Sequence, residues 1–234
     1  MNLFYTHRFE EQMAIFEEEE ARHLFVLRKK EGDLLQFTDG KGNLFQGIIS
    51  SIQRKNCYVH VTETKPNYLP NPYRLHIAIA PTKNMDRLEW FLEKVTEIGI
   101  TSITPILCQH SERDKIRLDR LESILVSSMK QSLQTFLPQL HPLCSFKDFV
   151  SQWKDYTGSK AIAYCNDADT PFITAIKHPA NDYLICIGPE GDFSPSEIEL
   201  AFENKFQGIS LGKNRLRTET AGIFAAATIA AWHY

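Results

Sequence analysis

The sequence lacks the features that would place it in several large classes of protein. Its five cysteines are odd in number and widely spaced, and none forms a CxxC pair. This argues against a disulfide framework or a zinc site, and it fits reduced, mostly buried thiols in a cytoplasmic protein. No basic segment followed by an apolar core opens the chain, so we expect no signal peptide. The longest apolar run, AGIFAAATIAAW, is too short and too alanine-rich for a membrane span, and a packed helix is expected.

The motifs of common cofactor sites are also missing. There is no GxxxxGK[ST] phosphate loop, no GxGxxG after a first α/β strand, and no GxSxG nucleophile turn. The eight histidines are scattered without an HxxxH or Cys/His cluster, so no metal is expected. The formal net charge is −3, so a nucleic-acid partner would need a local basic patch.

A proline-rich segment divides what is present into two parts. KPNYLPNPYR holds three prolines, which remove backbone donors and favour extended geometry. Before it, LLQFTDGKGNLFQGIISSI predicts a hairpin and CYVHVTE predicts a strand, while ARHLFVLRKKEGD predicts a short helix leading into a strand. We therefore predict a small β-barrel over residues 1–68 and a second domain over residues 73–234.

The second part alternates strands and helices. MDRLEWFLEKVTEIG places its apolar residues on one helical face and ends at Gly99, a typical helix stop. AIAYC and YLICIG are continuous apolar strands, as expected within a parallel sheet that is covered on both faces. The pattern predicts an α/β domain.

Two turns near the C-terminus carry the functional signal. In the first, GPEG follows the strand YLICIG, at the carboxyl end where open α/β sheets bind ligands. Ser194, Pro195 and Glu197 then predict a capped helix start. In the second, we predict a short strand over Ile209–Leu211, a basic loop over Gly212–Arg217 and a helix from Thr218. Taken alone, this loop is equally compatible with a solvated segment containing an Arg217–Glu219 ion pair.

The two turns together resemble the paired signatures of the bacterial 16S ribosomal RNA uracil-N3 methyltransferases of the SPOUT superfamily. The stretches concerned are GPEGDFSPSEIELA and LGKNRLRTETAGIFA. The resemblance covers nearly the whole chain, because RHLFVLRKKEGDLLQFTDGKG is similar to the family's PUA-like barrel and APTKNMDRLEWFLEKVTEIGITSITPI to its first βα unit. MKQSLQTFLPQL resembles the following helix end, although Lys130 and Gln134 stand where the family usually has an acidic residue and an arginine. His110 likewise replaces an expected arginine.

This resemblance implies a SPOUT-type α/β methyltransferase domain with a C-terminal deep trefoil knot, preceded by a PUA-like β-barrel RNA-binding domain. It implies S-adenosylmethionine as cofactor, a homodimer, and neither a metal nor a membrane partner. The substrate would be one uridine of 16S rRNA near the decoding centre, in an assembled or nearly assembled small subunit.

The resemblance also implies roles for particular residues. Glu190 would be the catalytic base or would orient it, Glu219 is the competing base, and Arg217 would contact the uracil oxygens or a nearby phosphate. Cofactor contacts would come from Ile187, Gly188, Pro189, Glu190, Gly191, Leu211, Gly212, Leu216, Arg217 and Thr218. RNA contacts would come from Arg22, His23, Arg28, Lys29, Lys30, Lys41, Lys213 and Arg215.

Two alternatives remain open at this point. One is another SPOUT enzyme that methylates a ribose 2′-hydroxyl or a guanine of tRNA or rRNA. The other is a non-catalytic RNA-binding factor of ribosome assembly that keeps the fold, for which an intact pair of cofactor turns would be unnecessary.

Overall fold

The computed structural model describes residues 2–164, 170–176 and 181–233, and the chain forms two compact units. The N-terminal unit comprises Met1–Pro70 together with Val126–Leu137. The C-terminal unit comprises Asn71–Leu125 together with Pro138–Tyr234. The smaller unit is therefore built from two separate stretches of sequence.

The N-terminal unit is a six-stranded sheet with one helix. Its elements are β1 (Leu3–Tyr5), β2 (Arg8–Glu10), β3 (Met13–Glu17), α1 (Glu18–Val26), β4 (Leu34–Thr38), β5 (Leu44–Ile52) and β6 (Asn56–Lys65). The strand order is β1-β4-β5-β6-β3-β2, and only β1 and β4 pair in parallel. The predicted hairpin is confirmed, because β4 and β5 pair as antiparallel strands. Gly40 and Gly42 adopt positive φ in the turn that connects them.

The segment 126–137 completes this unit. The hydroxyl of Thr38 donates to the backbone oxygen of Thr135 at 3.1 Å. The Phe136 ring lies so close to Gly42 that a Cβ there would be 2.3 Å from it. The hairpin of β4 and β5 thus has a neighbour that comes from far along the chain.

The C-terminal unit is an α/β fold around a parallel sheet. Its elements are β7 (Arg74–Ile79), α2 (Met85–Ile98), β8 (Ser102–Leu107), β9 (Gln139–Leu140), β10 (Cys144–Ser145), α4 (Phe146–Gln152), β11 (Ser159–Ala163), a 3-10 turn (Ile173–Ile176), β12 (Asp182–Ile187), α5 (Pro195–Glu203), β13 (Gln207–Ile209) and α6 (Thr218–Ala231). Helix α3 (Leu118–Gln131) begins in this unit. The main strand order is β10-β8-β7-β12-β11-β13, with β9 on β8, and every pairing is parallel.

Local sequence signals explain the boundaries of several of these elements. The Asn84 side chain accepts from the backbone N–H of Asp86 to begin α2, and Gly99 ends that helix with φ +108°. All six residues of β12 are buried, as the continuous apolar run predicted. Ser194 and Glu197 form the predicted capping box of α5.

One strand prediction needs correction. The short strand before the second turn is β13, Gln207–Ile209, and not the predicted Ile209–Leu211. Ile209 is the last of its residues that pairs with β11. Ser210 makes only an isolated bridge to Phe172, and Leu211 is free to line a cavity.

The cysteines of the described ranges form no disulfide. Cys57, Cys108 and Cys186 are buried and Cys144 is half-buried, all as free thiols, whereas Cys165 and His178 lie outside the described residues. Across residues 2–164, 170–176 and 181–233, no group of three or more metal-ligating side chains occurs. Within those ranges no helix combines the length and apolar character needed to cross a membrane.

Candidate active site

The candidate site is a cavity at the carboxyl ends of three adjacent strands of the C-terminal unit. Strands β11, β12 and β13 end in register, since Ala163 pairs with both Ile187 and Ile209. The cavity has a volume of about 470 Å³, within the usual range for small-molecule sites. It is lined by Ala163, Tyr164, Ile187, Gly188, Pro189, Glu190, Asp192, Ser210, Leu211, Gly212, Lys213, Asn214, Arg215, Leu216, Thr218 and Ala221.

The cavity gathers most of the residues that the sequence assigned to a cofactor. Eight of them line it: Ile187, Gly188, Pro189, Glu190, Leu211, Gly212, Leu216 and Thr218. Gly191 and Arg217 lie in the same two turns but outside the lining. Lys213 and Arg215, which were assigned to RNA, also line the cavity.

The first turn, residues 188–192, is tied to its surroundings by hydrogen bonds. The Glu190 carboxylate accepts from the backbone N–H of Lys83 at 3.1 Å, in the loop between β7 and α2. The Arg215 guanidinium donates to the backbone oxygen of Glu190 at 2.9 Å. His110 Nδ1 lies 3.1 Å from the backbone oxygen of Asp192. Glu190 therefore connects two loops that are distant in sequence.

The glycine at position 191 is explained by this packing. A Cβ at Gly191 would stand 3.0 Å from the His110 Cβ, on the side of the turn that faces His110. Gly191 thus allows the close approach of two protein segments. His110, at the position where the resemblance suggested arginine, contacts the first turn in place of that side chain.

The second turn, residues 212–217, is much more open. Gly212 has φ +122°, which favours glycine, and open space surrounds its missing Cβ. Lys213, Asn214, Arg215 and Arg217 are exposed. The link to the first turn comes immediately afterwards, where the buried Thr218 hydroxyl donates to the backbone oxygen of Gly188 at 3.1 Å.

Glu219 and Arg217 have different surroundings. Arg217 is the N-cap residue of α6 and its side chain is exposed, whereas Glu219 is only 5% exposed. Glu219 faces Arg87 of α2 with an N–O distance of 3.8 Å, and its second carboxylate oxygen has no hydrogen-bond partner among the described residues. The Arg217–Glu219 pair considered from sequence is not present in the described part of the chain. Thr218 and Ala221 face the cavity, and Glu219 is not part of its lining.

Several residues at this edge were missed by sequence reasoning. Lys83 forms an ion pair with Glu112 at 2.8 Å. Arg113 donates to the backbone oxygen of Lys83 at 2.9 Å, and the Nε atom of Arg113 has no hydrogen-bond partner in the described ranges. Tyr164 lines the cavity directly after β11. The end of the predicted strand AIAYC was a usable signal for Tyr164, because parallel strands end at one edge. Nothing in the sequence indicated Lys83 or Arg113.

The remaining predicted RNA contacts belong to the N-terminal unit. Arg22, His23, Arg28, Lys30 and Lys41 are exposed there, and Lys29 is half-buried. They are not part of the cavity lining.

Lys130 is not available as a free cation. It forms an ion pair with Glu20 inside the N-terminal unit, and both side chains are largely buried. The positive charge of Lys130, which departs from the family pattern, is therefore paired with a carboxylate of the same unit.

Matches to family models agree with this arrangement of fold and cavity. Residues 69–230 match an RNA methyltransferase domain, and residues 16–62 match an RNA methyltransferase PUA domain. The first match alone covers more than half of the chain. The molecule is an α/β RNA methyltransferase with a PUA-like unit.

Individual relatives narrow this class. Ribosomal RNA small subunit methyltransferase E of Mesomycoplasma hyopneumoniae is 31% identical over 183 residues, covering 76% of this chain and 78% of the relative. A probable rRNA-methyltransferase from Porphyromonas gingivalis is 41% identical with a TM-score of 0.91, covering 100% of this chain and 98% of that one. The small subunit methyltransferase E of Neisseria gonorrhoeae, solved bound to S-adenosyl methionine, is 26% identical with a TM-score of 0.87 and covers 99% and 98%. The chain belongs to the family of ribosomal RNA small subunit methyltransferases E, which confirms the family predicted from the two turns.

Proposed function

We propose that this protein transfers a methyl group from S-adenosylmethionine to N3 of a specific uridine in 16S rRNA, within an assembled or nearly assembled small ribosomal subunit in the cytoplasm. The observation that carries the proposal is the cavity where both signature turns meet at the carboxyl edge of the sheet. The family names a small-subunit ribosomal RNA substrate, and the resemblance of the turns adds uracil N3.

S-adenosylmethionine fits the cavity that these turns form. Ile187, Leu211 and Leu216 supply apolar surface, and the two leucines would flank the adenine. The lining also carries the carboxylates of Glu190 and Asp192 and the cations of Lys213 and Arg215, which suits a ligand that bears both charges. When bound, the cofactor supplies an electrophilic methyl group, and the related Neisseria protein was solved with it.

We extend the proposal to a deep trefoil knot in the C-terminal unit. The bond from Thr218 to Gly188 supports it, because it fixes the start of the last helix against the first turn. The usual rarity of knots is outweighed here by the family resemblance.

Glu190 is proposed as the general base or the group that orients it. Uracil N3 is a weakly acidic imide whose proton must leave as the methyl group arrives, so a carboxylate at the cavity lining is suitably placed. The bond from the Lys83 amide holds that carboxylate in one orientation. Glu219 remains the competing base, although it faces Arg87 on α2.

Arg217 is proposed to stabilise negative charge on the uracil oxygens as N3 loses its proton. Its exposed side chain follows directly after the cavity-lining Leu216, and it has no ion-pair partner in the described ranges. A fixed cation beside developing charge is worth most in a site from which water is excluded. To expose N3, the target uracil would have to leave the base stack of the RNA, at a cost of a few kcal/mol.

RNA backbone contacts are proposed for Lys213 and Arg215 at the cavity and for Arg22, His23, Arg28, Lys29, Lys30 and Lys41 in the N-terminal unit. Such cations position RNA without selecting sequence. All of them except the half-buried Lys29 are exposed, which supports this role.

A homodimer is proposed through α6. Phe224, Ala227 and Ala231 are exposed and recur at helical spacing after the exposed Thr220, so they leave an apolar stripe along this helix. Small residues in such a stripe allow close helix packing. Phe224→Glu should convert a dimer to monomer in sedimentation experiments.

The test is methyl transfer from labelled S-adenosylmethionine to small subunits that lack the modification, with naked 16S rRNA and tRNA alongside. After digestion, mass spectrometry identifies the nucleoside, and 3-methyluridine from the subunit with little from naked RNA is expected. Another methylated nucleoside would replace the uracil-N3 assignment by a different RNA methylation, and failure to bind cofactor would support the assembly-factor alternative.

A further inference from the structure

The N-terminal unit exposes five large apolar side chains at the end of α1 and on the two strands that follow. Phe25 is 61% exposed, Val26 69% and Leu34 64%, and Leu27 and Ile48 are also exposed. Leu34 and Ile48 are cross-strand partners in β4 and β5, so their side chains are neighbours. We call these five residues the Phe25 patch.

Cations surround the Phe25 patch in the sequence. Arg22, His23, Arg28, Lys29 and Lys30 all lie within nine positions. Lys29 reaches the backbone oxygen of Leu34 at 3.5 Å, so a basic side chain borders the apolar strand residues directly. Of the nearby acids, Asp33 already accepts from the Lys30 amide. Apolar surface bordered by cations matches a partner with flat bases and phosphates.

The end of α1 brings Arg28 next to Phe25. The Arg28 N–H donates to Phe25 O at 3.0 Å and the Lys29 N–H to Leu24 O at 3.1 Å, which is the Schellman ending of a helix. Its residue in the left-handed region is usually glycine, yet here it is Arg28, with φ +57°. In the described part of the chain, the guanidinium of Arg28 makes no hydrogen bond or ion pair. Leu133 and Lys205 take the same conformation at the ends of α3 and α5, so it is the unpaired guanidinium beside Phe25 that distinguishes Arg28.

We propose that the Phe25 patch binds a single-stranded segment of the RNA substrate, with an unpaired base stacked on Phe25 and an adjacent phosphate held by Arg28. This rests on the proposed rRNA function and adds a base-contacting surface to the phosphate contacts. Aromatic stacking tolerates any base, whereas cations hold the backbone, and together they form the usual surface for single strands.

The test measures binding of full-length protein to an unstructured RNA oligonucleotide and to an RNA duplex, by fluorescence anisotropy between about 50 and 200 mM KCl. Phe25→Ala should weaken single-strand affinity by about 5- to 150-fold, with an unchanged salt slope. Phe25→Trp should retain affinity. Arg28→Gly should lower the salt slope by about 0.7, while the melting temperature stays the same or rises. Leu69→Ala, a change at an exposed leucine outside the patch, is the matched control and should change neither quantity.

The proposal is overturned if Phe25→Ala binds single strands within twofold of wild type, or if duplex affinity falls equally. It is also overturned if Phe25→Ala instead abolishes self-association in sedimentation, because a second copy would then cover the patch. Cofactor affinity, measured on the same variants, separates this result from a failure of the methyltransferase assignment: the patch variants should bind S-adenosylmethionine like wild type.

Discussion

The two turns that bound the cavity are built in opposite ways. The first, residues 188–192, follows a fully buried strand and is joined to the β7–α2 loop, to Arg215 and to Thr218 by hydrogen bonds. The second, residues 212–217, is mostly exposed, with Lys213 at the cavity lining and Arg215 donating to the first turn. The difference suggests that the first turn fixes the shape of the cavity and that the second turn contacts the substrate.

Substitution of Glu190 should have the largest effect on activity, and it tests whether the first turn has only a structural role. Glu190→Gln keeps an oxygen that can accept from the Lys83 amide but removes the proton acceptor, whereas Glu190→Ala removes both. If Glu190 is the base, kcat on small subunits should fall by about 10²- to 10⁴-fold in both variants. Near-normal turnover for Gln with loss only for Ala would leave Glu190 as a structural connection.

Arg217 gives the corresponding test for the second turn. Arg217→Ala should lower kcat by about 10²- to 10³-fold, because charge on the uracil oxygens loses its partner. Arg217→Lys keeps a cation and should recover part of this loss. Single-turnover assays measure the chemical step, and an effect confined to KM would assign Arg217 to RNA binding alone.

Acid should weaken the sheet that leads into the first turn. Burial, followed by the nearby His141, lowers the pKa of His76 to about 3, and His76 lies on β7, beside β12. The unfolded chain binds this proton near pH 6.5 and the folded chain does not, so stability falls as pH drops from about 6.5 towards 3. At pH 5 the loss should be about 2 kcal/mol relative to pH 7.

Urea unfolding at the two pH values measures this loss. The His76→Gln variant, which cannot be protonated, should show a smaller difference between them. An equal difference in the variant would attribute the acid sensitivity to other groups.

Thr218 tests the link between the turns at a smaller scale. Thr218→Val removes the hydroxyl that donates to Gly188 and should cost about 1–2 kcal/mol of stability. Thr218→Ser retains the hydroxyl and should cost less. Chemical unfolding gives the free energies, and calorimetry should show weaker cofactor binding for Val than for Ser.

Lys213 carries the smallest expected effect. It is exposed, and Lys213→Ala should weaken RNA binding only a few-fold and lower the salt slope by about 0.7, since one phosphate contact is lost. Cofactor affinity should change little, although Lys213 lies at the cavity lining. A large loss of cofactor binding would assign Lys213 to the cofactor and not to RNA.

The sequence predicted what local chemistry determines. The stop at Gly99, the Asp39-Gly40 hairpin and the capping box at Ser194 were confirmed, because each depends on neighbouring residues. Eight of the ten residues assigned to a cofactor line one cavity, because the turns that carry them follow strand ends at the same edge of the sheet.

What could not be predicted depends on distant contacts. Lys83 and Glu190 are 107 positions apart, and the Glu20–Lys130 pair spans 110, so no local pattern signals either contact. The grouping of residues 126–137 with the first unit is hidden because α3 continues across that boundary as one uninterrupted helix. Helix α4 was missed because seven residues give too short a periodic pattern.

The divided N-terminal unit has a consequence for synthesis. A ribosome that has finished Pro70 has made the six strands, but the oxygen of Thr135 that accepts from Thr38 and the ring that covers Gly42 do not yet exist. At about 5–20 residues per second, residues 71–137 take roughly 3 to 13 seconds more. During that interval the surface of the nascent sheet that residues 126–137 later cover stays exposed. The N-terminal unit therefore cannot be completed until a segment from the second half of the chain has been synthesised.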